Sequence, residues 1–365
     1  MKKSLNALLL LLLWTVQGCA AHSELTVAQK AANLLIVGLD GQSLSSTNPI
    51  IEDITEKGVS GVILFGRNVA TFESSENPRE QFTQFVADLK ALRSEPLLVS
   101  IDQEGGLVNR LKEHSGFKPM PSHRSVGASQ SDEELREAAA LIASEVASTG
   151  INFNFAPCVD VDVNPDSPAI GHFGRSFSSD EKRVAHCASV YVEEHHKRGV
   201  LTSLKHFPGH GNAAADSHYG LTEITNTWEE RELYPYQNLI EMGLCDAVMV
   251  SHLFDANVDD EYPATLSRKM LQGVLREQLG WDGVVVSDDM QMRAITDHYG
   301  FEEAVTLGLN AGVDLFIIGG NIKREDYDVV DTFVAIIEKG IASGAITMER
   351  LDEAVGRVDA LIEKL

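Results

Sequence analysis

The sequence predicts an α/β fold, a single TIM-type (β/α)8 barrel, on three observations: eight short apolar runs, helical patterns between them, and polar clusters just after the runs. The runs cover residues 34–38, 61–65, 97–101, 151–156, 201–204, 247–250, 283–286 and 314–318. Each is continuously apolar rather than alternating, as strands buried on both faces are. Between them, Ser131-x-x-Glu134 reads as a capping box opening a helix that stops at Gly150. Ser178-x-x-Glu181 reads as another, for a helix that stops at Gly199. The last helix places Leu351, Ala354, Val355, Val358, Leu361, Ile362 and Leu365 on one face. Strict alternation of strand and helix favours a barrel over a doubly wound sheet. Residues 23–33 read as an extra leading helix, and with no linker or low-complexity tract residues 23–365 form one domain.

The N-terminus is read separately. Lys2 and Lys3 precede an unbroken leucine run at residues 8–13, then Gly18-Cys19-Ala20-Ala21. This is the pattern of a secretory signal over residues 1–21, too short in its apolar part for a spanning helix. Val16-Gln17-Gly18-Cys19 resembles a lipobox in which Cys19 becomes the lipidated first residue, although Gln17 fits it poorly. The alternative is ordinary cleavage near Ala21. Either reading places the mature protein outside the cytoplasm, in the periplasm or cell envelope. With Ala20 after the cysteine, the address is the outer membrane of a Gram-negative cell, and the only membrane contact expected is the lipid anchor.

Among 365 residues the net charge of −24 argues against nucleic acid, which needs clustered Lys and Arg. It also argues against adhesion to anionic lipid, and leaves a neutral or cationic substrate. Cys158, Cys187 and Cys245 are widely spaced, without a C-x-x-C pattern, and read as buried small apolar residues.

In a barrel, chemistry belongs at the C-terminal ends of the strands. Five polar clusters fall there: Asp102-Gln103-Glu104-Gly105-Gly106; Asp160 and Asp162; Lys205-His206-Phe207-Pro208-Gly209-His210-Gly211 with Asp216-Ser217-His218; Ser251-His252; and Ser287-Asp288-Asp289. Asp288 and Asp289, being adjacent, point to opposite sides, so one can face the mouth while the other turns into the wall. Their order alone does not assign the two. A carboxylate at the mouth can attack an anomeric carbon; the plainer reading is an Asp capping the next helix. His206 and His210 have metal-like spacing, but Pro208 and Gly209 break any helix between them and no H-E-x-x-H glutamate is present. Neither metal nor cofactor is expected. Asp216 and His218, two apart, can fold into a pair that favours imidazolium, suited to a general acid; otherwise the stretch is a solvated loop.

These segments, with Pro263-Ala264-Thr265-Leu266-Ser267, occur in the order found in glycoside hydrolase family 3, and from about residue 25 to 365 the chain resembles the β-N-acetylhexosaminidase type of that family. The resemblance implies a retaining exo-β-N-acetylglucosaminidase acting through a covalent glycosyl-enzyme on muropeptide or chitin-type oligosaccharides. By that resemblance Asp288 is the nucleophile and His218, supported by Asp216, the acid/base. Asp102, Arg110, Arg175, Lys205 and His206 bind the terminal N-acetylglucosamine. Two departures stand out: Leu107 where the family has Arg, and a long stretch at residues 170–177. They bear on substrate preference, not on the proposed chemistry. The competing readings are a broader β-glycosidase and a non-catalytic sugar-binding lipoprotein. Comparing N-acetylglucosaminide and glucoside chromogens separates all three.

Overall fold

The computed structural model describes residues 25–320 and 328–365. The expected leader, Cys19 included, lies outside the described residues. Eight parallel strands close into one barrel: β1 Leu35–Gly38, β2 Gly61–Leu64, β3 Leu98–Ile101, β4 Phe153–Asn154, β5 Leu201–Phe207, β6 Ala247–Val250, β7 Val284–Asp289 and β8 Leu315–Ile318. Each pairs with its sequence neighbours, and β1 pairs with β8 to shut the ring. Nearly every strand residue is buried, because the barrel interior covers one face and helices the other.

The helices around the barrel are α1 Val27–Ala32, α2 Pro78–Lys90, α3 Asp132–Ala147, α4 Glu181–His196, α5 Tyr234–Glu241, α6 Phe301–Ala311, α7 Val329–Ser343 and α8 Met348–Ile362, with a π-helical segment Lys269–Gln278 between β6 and β7. The leading helix α1 is fixed by a reciprocal capping box between Thr26 and Gln29. It packs against α7 and α8, and Lys30 reaches Asp352 at 2.6 Å. A two-stranded ribbon, Thr222–Glu223 with Leu253–Phe254, joins the loops after β5 and β6.

Several boundaries differ from expectation for identifiable reasons. Ser131 does accept from the Glu134 amide, but the Glu134 carboxylate bonds the Gln130 amide, so the box is one-sided. Helix α4 is capped by Asp180, not Ser178; Ser178 instead accepts from the Asp180 amide. Strand β4 is only two residues long. The Asn152 side chain bonds Val99 N and Leu97 O in place of ladder groups, and Pro157 has no amide to give. On α8, Leu351, Ala354, Val355, Val358 and Leu361 are buried, whereas Ile362 is half-buried and Leu365 lies exposed beyond the helix end.

The most consequential differences are in β5 and β7, which run further than their apolar stretches. Lys205, His206, Asp288 and Asp289 lie within strands, not in loops following them. Both strands also carry an extra residue. Leu204 and Phe207 of β5 pair with Val248 and Val250, three positions against two. Val286 and Asp289 of β7 pair with Leu315 and Ile317 in the same way. Such bulges re-aim side chains, and here they fall on Lys205-His206 and Ser287-Asp288. Ser287 Oγ accepts from Ile317 N at 3.0 Å, taking over a ladder bond.

Candidate active site

A cavity of about 480 Å³ opens at the C-terminal end of the barrel. Asp102, Arg110, His218, Asp288 and Asp289 line it, with Phe65, Phe155, Met249 and Met292 among its apolar walls. Four of the expected site residues therefore share one cavity. Arg175, Lys205 and His206 do not line it; they form a buried layer with Asp102.

That layer is a chain of charges. Lys205 Nζ sits 2.7 Å from Asp102 Oδ1 and 2.8 Å from Glu104 Oε1, with Lys205 only 2% exposed. Arg175 grips Glu104 with two parallel bonds, Nε–Oε2 at 2.9 Å and Nη2–Oε1 at 2.7 Å. Burial opposes the charge on Glu104, but Arg175 and Lys205 prevail and hold its carboxyl well below the usual carboxylate range. Burial likewise works against the Lys205 charge, and Asp102 and Glu104 outweigh it, raising the ammonium's pKa. Arg175 Nη2 also lies 2.9 Å from His206 Nε2. A guanidinium only donates, so Nε2 accepts and the ring proton sits on Nδ1, which donates to Asp160 at 2.6 Å. Asp160 in turn accepts from the amides of His206 and His210. Arg110 approaches Asp102 Oδ2 at 3.7 Å, while its amide donates to Gln103 Oε1.

Asp288 and Asp289 both line the cavity, but their carboxylates are engaged differently. Asp289 Oδ1 is tied to the backbone, accepting from Gln291 N and Gly319 N. Among the described residues Asp288 accepts only the Asp289 amide, at 2.8 Å, which leaves its carboxylate available at the cavity. Burial raises the cost of its charge, but His252 foremost, with His218 and that amide, holds its carboxyl below the usual value. His252 is fully buried. Its Nε2 donates to the Asp289 carbonyl, and Nδ1 meets Thr265 Oγ1 at 2.7 Å. Thr265 belongs to the Pro263–Ser267 stretch, whose part in the site is thus to steady the backbone of the aspartate pair.

The third part is the loop after β5. Asp216 Oδ1 accepts from both the His218 amide, at 3.0 Å, and His218 Nδ1, at 2.7 Å. This bond is the leading cause that raises the His218 pKa; burial opposes it and Asp288 adds to it. For Asp216 burial pushes upward, yet the two bonds from His218 hold it down to about 2. The His218 side chain is 60% exposed against 14% for Asp216, so the ring sits at the rim with its anion sheltered behind it.

Of the other polar residues noted after the strands, Asp162 lies apart, paired with Arg124 at 3.0 Å. Glu104, Asp160 and His252 were visible as polar residues after strands, but nothing in their spacing marked them as supports. Glu232, which bonds the loop from beneath, gave no signal. Among the described residues, metal-type donors gather at Cys158, Asp160 and His206 and at Glu104, His123 and Cys158. Both groups face the positive charge of Arg175, which opposes a cation.

Comparison with known proteins identifies relatives of the chain. Residues 26–361 match the model of the glycosyl hydrolase family 3 N terminal domain. The beta-hexosaminidase of Tolumonas auensis is 36% identical over 270 residues, 72% of this chain and 76% of that protein. That of Idiomarina loihiensis is 31% identical over 332 residues, 87% and 95% of the two chains. Among solved structures, the family 3 beta-N-acetylglucosaminidase of Paenibacillus sp. str. FPU-7 superposes with a TM-score of 0.83 at 36% identity, over 93% of this chain but 62% of that one. The beta-N-acetylhexosaminidase of Beutenbergia cavernae gives 0.81 at 29% identity, over 93% and 99%. The barrel, its charged mouth and these relatives together establish that the chain belongs to glycoside hydrolase family 3 and is a glycoside hydrolase.

Proposed function

We propose that the protein is a retaining exo-β-N-acetylglucosaminidase that removes terminal N-acetylglucosamine from muropeptide or chitin-type oligosaccharides. The observation carrying this reading is that Asp288 and His218 line one cavity, with Asp216 2.7 Å behind His218. The carboxylate of Asp288 attacks the anomeric carbon as the bond to the leaving oxygen breaks. His218, whose Nδ1 is engaged by Asp216, gives its Nε2 proton to that oxygen. Water then attacks the glycosyl–Asp288 ester, His218 takes the water's proton, and Asp288 is released as carboxylate. Asp102 and Arg110 meet the sugar from the cavity wall, and Lys205, linked through Glu104 to Arg175 and His206, holds Asp102. The names of the relatives, beta-hexosaminidase and beta-N-acetylglucosaminidase, support the sugar assigned to the terminal position.

The test compares N-acetylglucosaminide with glucoside chromogens, then His218→Ala against leaving groups of graded acidity. Turnover confined to the N-acetyl sugar, a His218→Ala defect that grows as the leaving group becomes more basic, and a trapped covalent intermediate are expected. Equal glucoside turnover would point to a broader β-glycosidase, and no turnover of either to a sugar-binding protein. A flat leaving-group dependence would leave His218 as a binding residue. The residue 8–13 leucine run and Gly18-Cys19 further support export and anchoring through a lipid on Cys19. Cys19→Ser behind an unrelated signal should release the protein in soluble form; full-length protein confined to the cytosol would refute this.

A further inference from the structure

The loop that carries Asp216 and His218 is gripped at its root by the segment leading into α5. Trp228 Nε1 donates to the Pro208 carbonyl at 3.1 Å. Asn212 Nδ2 donates to the Thr227 carbonyl. Gly211 N donates to Glu232 Oε2 at 3.1 Å, while Glu232 Oε1 accepts the Glu229 amide at 3.2 Å. Glu232 is fully buried, so both its oxygens are spent on backbone rather than on water. The fit is close enough to require glycine. A Cβ at Gly209, where φ is +133°, would lie 2.7 Å from Glu232 Cβ, and one at Gly211 would meet the Val161 carbonyl oxygen at 1.7 Å. From the other side Asp160 accepts the His210 amide at 2.7 Å, and the His210 ring reaches Ser217 Oγ, inside the Asp216–His218 turn, at 3.5 Å.

We infer that Glu232 is a positioning residue: its buried carboxyl, with Trp228, clamps residues 208–212 and so sets where His218 stands over the cavity. The inference rests on the reading of His218 as acid/base. Burial pushes the Glu232 carboxyl up to about 8 against the pull of the two amides that bond it, so the group sits in the interior at a cost. That cost is a reason to look for a task beyond packing. A leucine would fill the volume but accept from neither amide.

The test is a double-mutant cycle. Glu232→Gln keeps the volume but turns an amide NH2 toward one of the two backbone N–H groups. It should lower kcat for a saccharide leaving group by about ten- to a hundredfold, the scale of a misplaced catalytic group. The inhibition constant of free N-acetylglucosamine should stay within about twofold, because the Asp102 and Arg110 wall is untouched. In a His218→Ala background the same change should cost nothing more. Trp228→Phe, which removes the Nε1–H to Pro208 together with part of the packed ring, should show the same non-additive pattern more mildly, and serves if the Glu232 variant does not fold. Two results would overturn the proposal: unchanged kcat in the folded variants, or an equal loss with and without His218, which would make the clamp a general support. Leaving-group dependence in His218→Ala alone tests the acid/base reading, so the two can fail separately.

Discussion

Asp216→Asn removes the negative charge behind His218 while leaving an amide oxygen where Oδ1 accepts from Nδ1 and the His218 amide. Geometry is thus kept and charge alone is lost. The two groups meet at 2.7 Å, with 60% of the imidazole side chain in solvent. An ion pair of this kind is worth about 1 kcal/mol in bulk water at 4 Å and about 4 at an effective dielectric of 20; the exposed ring lies toward the former. An estimate of about 1–1.5 kcal/mol corresponds to about one pKa unit. The sign follows from the roles. His218 must be protonated to donate, so activity falls as pH rises through its raised pKa. Asp288 must be ionised, so activity falls as pH drops through its lowered pKa. Removing the Asp216 charge should therefore bring the basic limb of the kcat/KM profile down by about one pH unit and leave the acidic limb in place. The assay is a pH profile on a disaccharide, whose poor leaving group needs the proton. An unmoved basic limb, or an equal shift in both limbs, would refute the account.

Asp288→Asn should keep the fold and lower turnover by roughly three orders of magnitude or more, whereas Asp289→Ala should loosen the Gln291 and Gly319 amides and lower the melting temperature first. Kinetics and thermal denaturation of both variants check this, and a reversed pattern would reassign the pair. Gly211→Ala must displace either the loop or the Val161 carbonyl, and should cost about 1–3 kcal/mol in denaturant unfolding together with much of the activity. A stable, active Gly211→Ala protein would show that the loop root is softer than its contacts imply.

The barrel was legible because a doubly covered strand leaves an unmistakable trace: all eight apolar runs became strands, and the polar clusters after them gathered at one end. The trace fails where a strand stays buried but stops being apolar. Lys205 is as deep as its leucine neighbour Leu204, yet it is accommodated by Asp102 and Glu104, residues over a hundred positions away. No local pattern records such a partner. The same holds for Glu232, whose charge type suggests solvent and whose place is the interior. The Asp216–His218 pair was readable because its two members are neighbours in sequence. The choice between Asp288 and Asp289 was not, because it depends on the extra residue in β7 and on amides from the β8 end. The glycines of Lys205–Gly211 suggested sharp turns, but Gly211 is there because the Val161 backbone leaves no room.

The two bulged strands flank β6, so both irregularities fall on one arc of the ring. A one-residue excess is also the smallest insertion a gene can make in frame. Removing it from β7 would even the ladder with β8 and shift Asp288 by half a strand period, away from the lumen. Catalytic competence in this architecture is thus separated from an inert barrel by single-codon deletions at either of two places. In comparing related barrels the count of residues along these two strands is therefore as informative as their identity.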